Sequence, residues 1–137
     1  MSADPVFPLS DADVEAIRSL TSAISRKALE GDWESLVQLF TEDAVLLPPN
    51  SPVIRGRTAF KSMIESFNPD FSDHSIELQD IQGYGDVAYA WGTYTETFSV
   101  GGAPEPITDV AKLMFGFRKQ ADGSWHVTTE MWNTDLS

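Results

Sequence analysis

Cysteine is absent from this chain of 137 residues, which removes disulfides, thiolate zinc sites, iron–sulfur clusters and thiol nucleophiles at once. Positive charge is scarce. Nine Lys and Arg stand against 21 Asp and Glu, a net charge of −12. Such a surface repels phosphate backbones and anionic lipid, so no nucleic-acid partner and no membrane partner is expected. No apolar run approaches the roughly 20 residues that span a bilayer. The opening residues 1–8 carry neither the basic nor the apolar stretch of a secretory signal, and a cytoplasmic location is the expectation. A chain of this size can bury roughly 70% of its unfolded surface without a disulfide or metal staple. One domain over 1–137 is therefore expected, with 1–9 as a loosely ordered N-terminal extension.

The first third has a helical period. Ser10 followed by Asp13 reads as a capping box with Asp at N3. Val14, Ile17, Leu20, Ile24 and Ala28 then form one apolar stripe, and Gly31 suits the residue that ends such a helix. Asp32 caps a short second helix with Trp33, Leu36, Val37 and Phe40 on its apolar face. Residues 44–56 read as two short strands about a proline-stiffened loop, and a third helix begins near Thr58 and cannot pass Pro69. From Asp73 onward the period becomes two, with strands predicted at 75–81, 87–98, 107–119 and 124–135. His74 falls just outside the first of these and reads as a turn residue. Helices first and long strands afterwards define an α+β class: three N-terminal helices packed on a strongly curved antiparallel sheet.

The last hairpin carries the functional argument. A two-residue turn at Asp122-Gly123, or a four-residue loop at 120–123, groups Leu113, Phe115 and Phe117 with His126, Thr128, Glu130 and Trp132. That face is apolar with a few polar groups, as a ligand cavity should be. The opposite face carries Met114, Trp125, Val127 and Met131, too apolar for bare solvent. A homodimer contact through Met114, Val127 and Met131 is the expectation there. A loop of odd length without a bulge would scramble both groups.

Several segments resemble one family. Gly31-Asp32-Trp33, Leu39-Phe40-Thr-Glu-Asp-Ala-Val, Ile54-Arg-Gly-Arg, Trp91-Gly-Thr-Tyr, Phe117-Arg-Lys-Gln-Ala-Asp-Gly-Ser-Trp125 and Met131-Trp-Asn-Thr-Asp are similar to the NTF2-like superfamily, in its SnoaL-like and DUF4440 branch. Ketosteroid isomerases, polyketide cyclases and the CaM-kinase association domain are relatives of that branch. The resemblance, over about residues 11–136, implies a cone of three helices against a bent sheet, open to a mostly apolar pocket, and often a homodimer. On this resemblance the isomerase's tyrosine, aligned through Gly31-Asp32, falls on Ile24, its base, in the segment after Asp43-Ala44, on Pro48, and its protonated acid, aligned backward from Gly123, on Phe115. None of these side chains can do that work, so steroid isomerisation by the family mechanism is not expected.

What remains for chemistry is Glu130. A carboxylate among Leu113, Phe115 and Trp132 would have a raised pKa unless a cation pairs with it, and could then act as acid or base on a small hydrophobic substrate. A cofactor-free isomerase, cyclase or hydratase is one reading. The alternative is a non-catalytic dimeric module for a ligand or partner, with Glu130 paired to Arg55 or Lys112 or placed at the solvated mouth. His126 could relay a proton to Glu130. Arg55, in a basic cluster with Arg57 and Lys61, could meet a carboxylate-bearing ligand at the rim. Trp91 could stack on a flat ligand, with Ile24, Leu113, Phe115, Phe117, Thr128 and Trp132 completing the pocket. No cofactor motif is present, and His74 and His126 lack metal-ligand spacing, so neither cofactor nor metal is expected.

Overall fold

The computed structural model describes residues 8–101 and 105–136. Its elements are α1 (Asp11–Glu30), α2 (Trp33–Val37), β1 (Phe40–Leu47), β2 (Ile54–Arg55), α3 (Arg57–Phe67), β3 (Asp70–Tyr84), β4 (Val87–Ser99), β5 (Ile107–Lys119) and β6 (Trp125–Thr134). The expected loose extension falls, for residues 1–7, outside the described residues. Pro8 already bridges to Tyr84 and Leu9 packs against the core, so those two residues are part of the fold. No described helix is long and apolar enough to cross a membrane.

Local signals place the helices. The Ser10 hydroxyl accepts from the Asp13 N–H at 3.0 Å, and the Asp13 carboxylate accepts from the Ser10 N–H at 3.3 Å. Gly31, at φ 69°, ends α1 in the left-handed region that glycine enters without Cβ strain. Ile17, Leu20, Ile24 and Ala28 form its buried stripe. Asp32 caps α2 by accepting from the Ser35 N–H. That helix lasts little more than a turn, and Phe40, expected on its apolar face, instead opens β1 and pairs with Val127. Burial between strands and helices overrides a helical period that only one turn supports.

The six strands run β2-β1-β6-β5-β4-β3. Strands β3 to β6 form an antiparallel meander, but β1 lies parallel to β6. The sheet is thus mixed rather than wholly antiparallel, because α3 and four strands, β2 to β5, intervene before the chain returns beside β1. Strand β3 starts at Asp70, not at Ser75, which moves His74 from a turn into a strand opposite Glu96. Its polar opening, Asp70-Phe-Ser-Asp-His, has weak strand propensity of its own, and pairing with β4 decides the matter.

The β5–β6 hairpin departs from both expected turns. Lys119 pairs with Trp125, and the Gln120 N–H donates to the Ser124 carbonyl, leaving a three-residue loop that ends on Gly123 at φ 89°. Farther along, Phe117 pairs with Val127 but Gly116 pairs with Thr129, so Thr128 is an extra, unpaired residue. The odd loop turns Trp125 and Val127 inward, where they are 4% and 0% exposed. The bulge then returns Glu130 and Trp132 to the expected face, where they pair with Phe115 and Leu113. Val127 therefore belongs to the core and not to the outer face with Met114 and Met131.

The core joins the stripe of α1 to Phe40, Leu46, Phe115, Phe117, Trp125 and Val127. One polar tie fixes α1 to the hairpin: the Asp13 carboxylate accepts from the Trp125 indole N–H at 3.0 Å and from Lys119 Nζ at 3.1 Å. These donors hold its carboxyl down at about 2, the Trp125 hydrogen bond contributing most. Removing the acceptor leaves a buried indole N–H unpaired, so Asp13→Ala is expected to cost about 1–3 kcal/mol in urea unfolding. A depressed carboxylate stabilises fully above its unfolded pKa near 4 and loses that effect as pH falls towards 2. The gap between wild type and Asp13→Ala should close over that interval.

Candidate functional site

A cavity of about 280 Å³ lies between the three helices and the inner face of the sheet, at the small end of the range for ligand pockets. Helices supply Ile24 and Ala28 from α1, Leu36 from α2, and Phe60, Met63, Ile64 and Phe67 from α3. The sheet supplies Phe40, Leu46, Phe71, Ile76, Phe98, Leu113 and Trp132, and the linker before β3 adds Pro69. Four polar side chains interrupt this apolar wall: His74 on β3, Tyr94 and Glu96 on β4, and Glu130 on β6.

The two glutamates face no cation among the described residues. Nine Lys and Arg exist in the whole chain, and each is engaged or exposed elsewhere. Lys27 pairs with Glu30 and Asp32, Lys61 with Glu34 and Glu65, Lys112 with Asp135, Arg118 with Asp43, and Lys119 with Asp13. Arg57 donates to the Phe40 carbonyl and Arg18 to the Leu78 carbonyl. Arg26 and Arg55 are exposed, and neither lines the cavity. Burial, reinforced by the charge of Glu96, pushes the Glu130 carboxyl up to about 8. Burial and the charge of Asp109 push Glu96 up to about 7. Both therefore hold protons at pH values where an ordinary glutamate is ionised.

Around these acids lies a small polar network. His74 Nδ1 is 2.8 Å from the Ser25 hydroxyl, and its Nε2 is 3.9 Å from Glu96 Oε2. Burial lowers the His74 imidazole to about 4, against the opposing charge of Asp73, so it is neutral at pH 7. When Ser25 donates to Nδ1, the remaining ring proton sits on Nε2 towards Glu96. Asp109, near the Tyr94 phenol, accepts from the Thr134 hydroxyl at 2.6 Å. Burial first, then the nearby charges of Glu96, Asp109 and Glu130, raises the phenol above its ordinary range. Among the described residues no three His, Asp or Glu side chains converge as metal ligands.

Of the residues singled out from sequence, Ile24, Leu113, Glu130 and Trp132 meet in this cavity. Phe115 and Phe117 are 1% exposed and pack on each other in the core beside it, not on its wall. The bulge takes Thr128 off the wall and sets its hydroxyl 3.4 Å from that of Thr41. His126 lies at the hairpin end near Ser124, remote from the acid it was expected to assist, because the odd loop shifts its parity. Trp91 points outward, opposite Met114, since β4 presents Ala88, Ala90, Gly92 and Tyr94 to the core. Arg55 sits exposed on the two-residue strand β2 and does not line the cavity.

Glu96, His74 and Tyr94 were not anticipated as site residues. Their signal was present in β4: small residues at 88, 90 and 92 leave room for the helices, and the same parity then delivers Tyr94, Glu96 and Phe98. His74 follows from it as the cross-strand partner of Glu96.

The fold is shared with many solved structures. A ketosteroid isomerase-like protein from Erwinia carotovora atroseptica superposes with a TM-score of 0.83 at 19% identity, covering 93% of this chain and all of that one. A conserved protein from Planctomyces limnophilus gives 0.82 at 19% identity, covering 91% and 99%. An NTF2-like protein with a cystatin-like fold from Novosphingobium aromaticivorans gives 0.74 at 23% identity, covering 92% and 84%. No curated protein matches by sequence. The model of the SnoaL-like domain matches residues 17–127, and the chain belongs to that family.

The buried acids make a pH signature. A carboxyl whose folded pKa is raised binds its proton more tightly when folded, so stability falls as pH rises from about 4.5 to the folded value. Glu130→Gln mimics the protonated form. It is expected to raise Tm relative to wild type by a margin that is small at pH 5 and grows to pH 8–9, read by calorimetry. A margin independent of pH would place Glu130 in contact with bulk water.

Proposed function

We propose that this SnoaL-like domain, spanning the whole chain, forms a cone that binds a small hydrophobic molecule in its hollow. Glu130 acts there as acid or base in a cofactor-free isomerase-, cyclase- or hydratase-type reaction. The observation that carries the reading is a carboxyl enclosed in an apolar cavity with no Lys or Arg beside it among the described residues. A structural glutamate is normally paired; one left unpaired and tuned towards neutrality can donate or remove a proton at pH 7. Glu96, backed by the His74–Ser25 pair, supplies a second exchangeable proton in the same space. The isomerase-like name of one structural relative fits this chemistry in kind. The ketosteroid positions, however, are occupied by Ile24, Pro48 and Phe115, and the acids here stand elsewhere. A compound screen by thermal shift, repeated on Glu130→Gln, tests the role. Turnover of any hit should fall by about 10²-fold or more in the variant, whereas unchanged binding and turnover remove Glu130 from the chemistry and leave a ligand-binding module.

We further propose a homodimer through the outer sheet face. Trp91, Met114 and Met131 lie side by side on β4, β5 and β6 and are each nearly half exposed. Tyr89 extends this patch, which is larger than isolated surface apolar residues require. Light scattering should report twice 15.1 kDa, reverting to the monomer mass in Met131→Asp. A wild-type monomer at micromolar concentration would discard the proposal.

A further inference from the structure

The electrostatic one-sidedness of the cavity says what sort of ligand it takes, on the reading that the cavity is a binding site. Among the described residues, every charged or titratable group facing it is an acid or a neutral imidazole: Glu96 and Tyr94 from β4, Glu130 from β6, and His74 from β3, with Asp109 of β5 behind Tyr94. None of the helices packed above contributes a charge to the wall; they bring apolar side chains and the Ser25 hydroxyl on His74. A carboxylate-bearing ligand, the expectation with Arg55 at the rim, would find no cation among the described wall residues and would be repelled by Glu96 and Glu130 whenever either ionises. A ligand carrying an ammonium group would supply the counter-charge the protein omits. The walls suit its other end, since Phe71, Phe98 and Trp132 line the cavity and give apolar and aromatic contact to an aryl body. A dry engineered cavity of about 150 Å³ holds one benzene, so about 280 Å³ suits a ring with a short chain.

We infer that the cavity selects a small aryl-alkyl amine in its ammonium form, the cation facing Glu96 and Glu130 and the ring lying among Phe71, Phe98 and Trp132. Binding then ionises carboxyls that were protonated in the free protein and releases protons. Affinity for the amine consequently increases as pH rises, for as long as the amine itself stays charged.

Isothermal titration calorimetry with 2-phenylethylamine, 2-phenylethanol and 3-phenylpropionate, three probes of similar shape and different charge, tests this. At pH 8.5 the amine should bind about tenfold or more tighter than the alcohol, and the carboxylate more weakly than the alcohol. Between pH 6.5 and 8.5 amine affinity should rise severalfold, with proton release seen as a dependence of the heat on buffer ionisation enthalpy. Glu96→Gln and Glu130→Gln each keep the side-chain shape and remove a desolvated charge, so both should fold. Each should lose most of the amine preference while retaining the alcohol. An amine bound no better than the alcohol, or a preference that survives in the double variant, overturns the inference and leaves the cavity reading standing. If none of the three probes binds, the cavity reading falls as well.

Discussion

Between Gly116 and Phe117 the opposite strand advances by two residues, and Thr128 is left without a partner on β5. On the hairpin side of that bulge the inward residues of β6 are Trp125 and Val127; on the far side they are Glu130 and Trp132. A regular strand would keep one parity throughout. Either the indole that binds Asp13 would leave the core, or the acid would leave the cavity. One unpaired residue thus lets a single ten-residue strand serve the packed base of the fold and the polar wall of the hollow.

The packing and the acids are coupled through that strand. Below the bulge, Trp125, Val127 and Phe117 are buried in the core and line no cavity, as close-packed interiors lead one to expect. Above it, the side chains stop short of meeting and leave a gap edged with Glu96 and Glu130. Placing two acids in that gap, with the protein's few cations held elsewhere, costs folding energy that a filled apolar core would not. Such local conflict between stability and chemistry is what binding and catalytic sites characteristically show.

Features decided within a few residues were readable from the chain alone. Ser10 with Asp13, Gly31, and Asp32 before Trp33 each act through hydrogen bonds three or four residues away, and each helix end falls where they put it. Side-chain direction in the last hairpin was not local in this sense. Its loop alone would have misplaced Glu130, its bulge alone would have misplaced Val127, and the sequence of 120–128 announces neither. Trp91 faces outward because Ala90 and Gly92, the small residues beside it, are what allow the other face of β4 to approach the helices. His74 was hidden by polar neighbours whose strand conformation comes from β4 and not from themselves.

The position of β6 in the sheet bears on how the chain folds. It lies between β1 and β5, and the hydroxyls of Thr41 and Thr128 that meet across it are 87 residues apart in sequence. Until residues 125–134 arrive, β1 and β5 each present a bare edge of unpaired amides and carbonyls, open to any neighbouring chain. Closing so distant a contact is slow relative to forming a helix or a hairpin. During biosynthesis β1 therefore has no β6 to pair with until the residues around Thr128, 87 positions beyond Thr41, have been made.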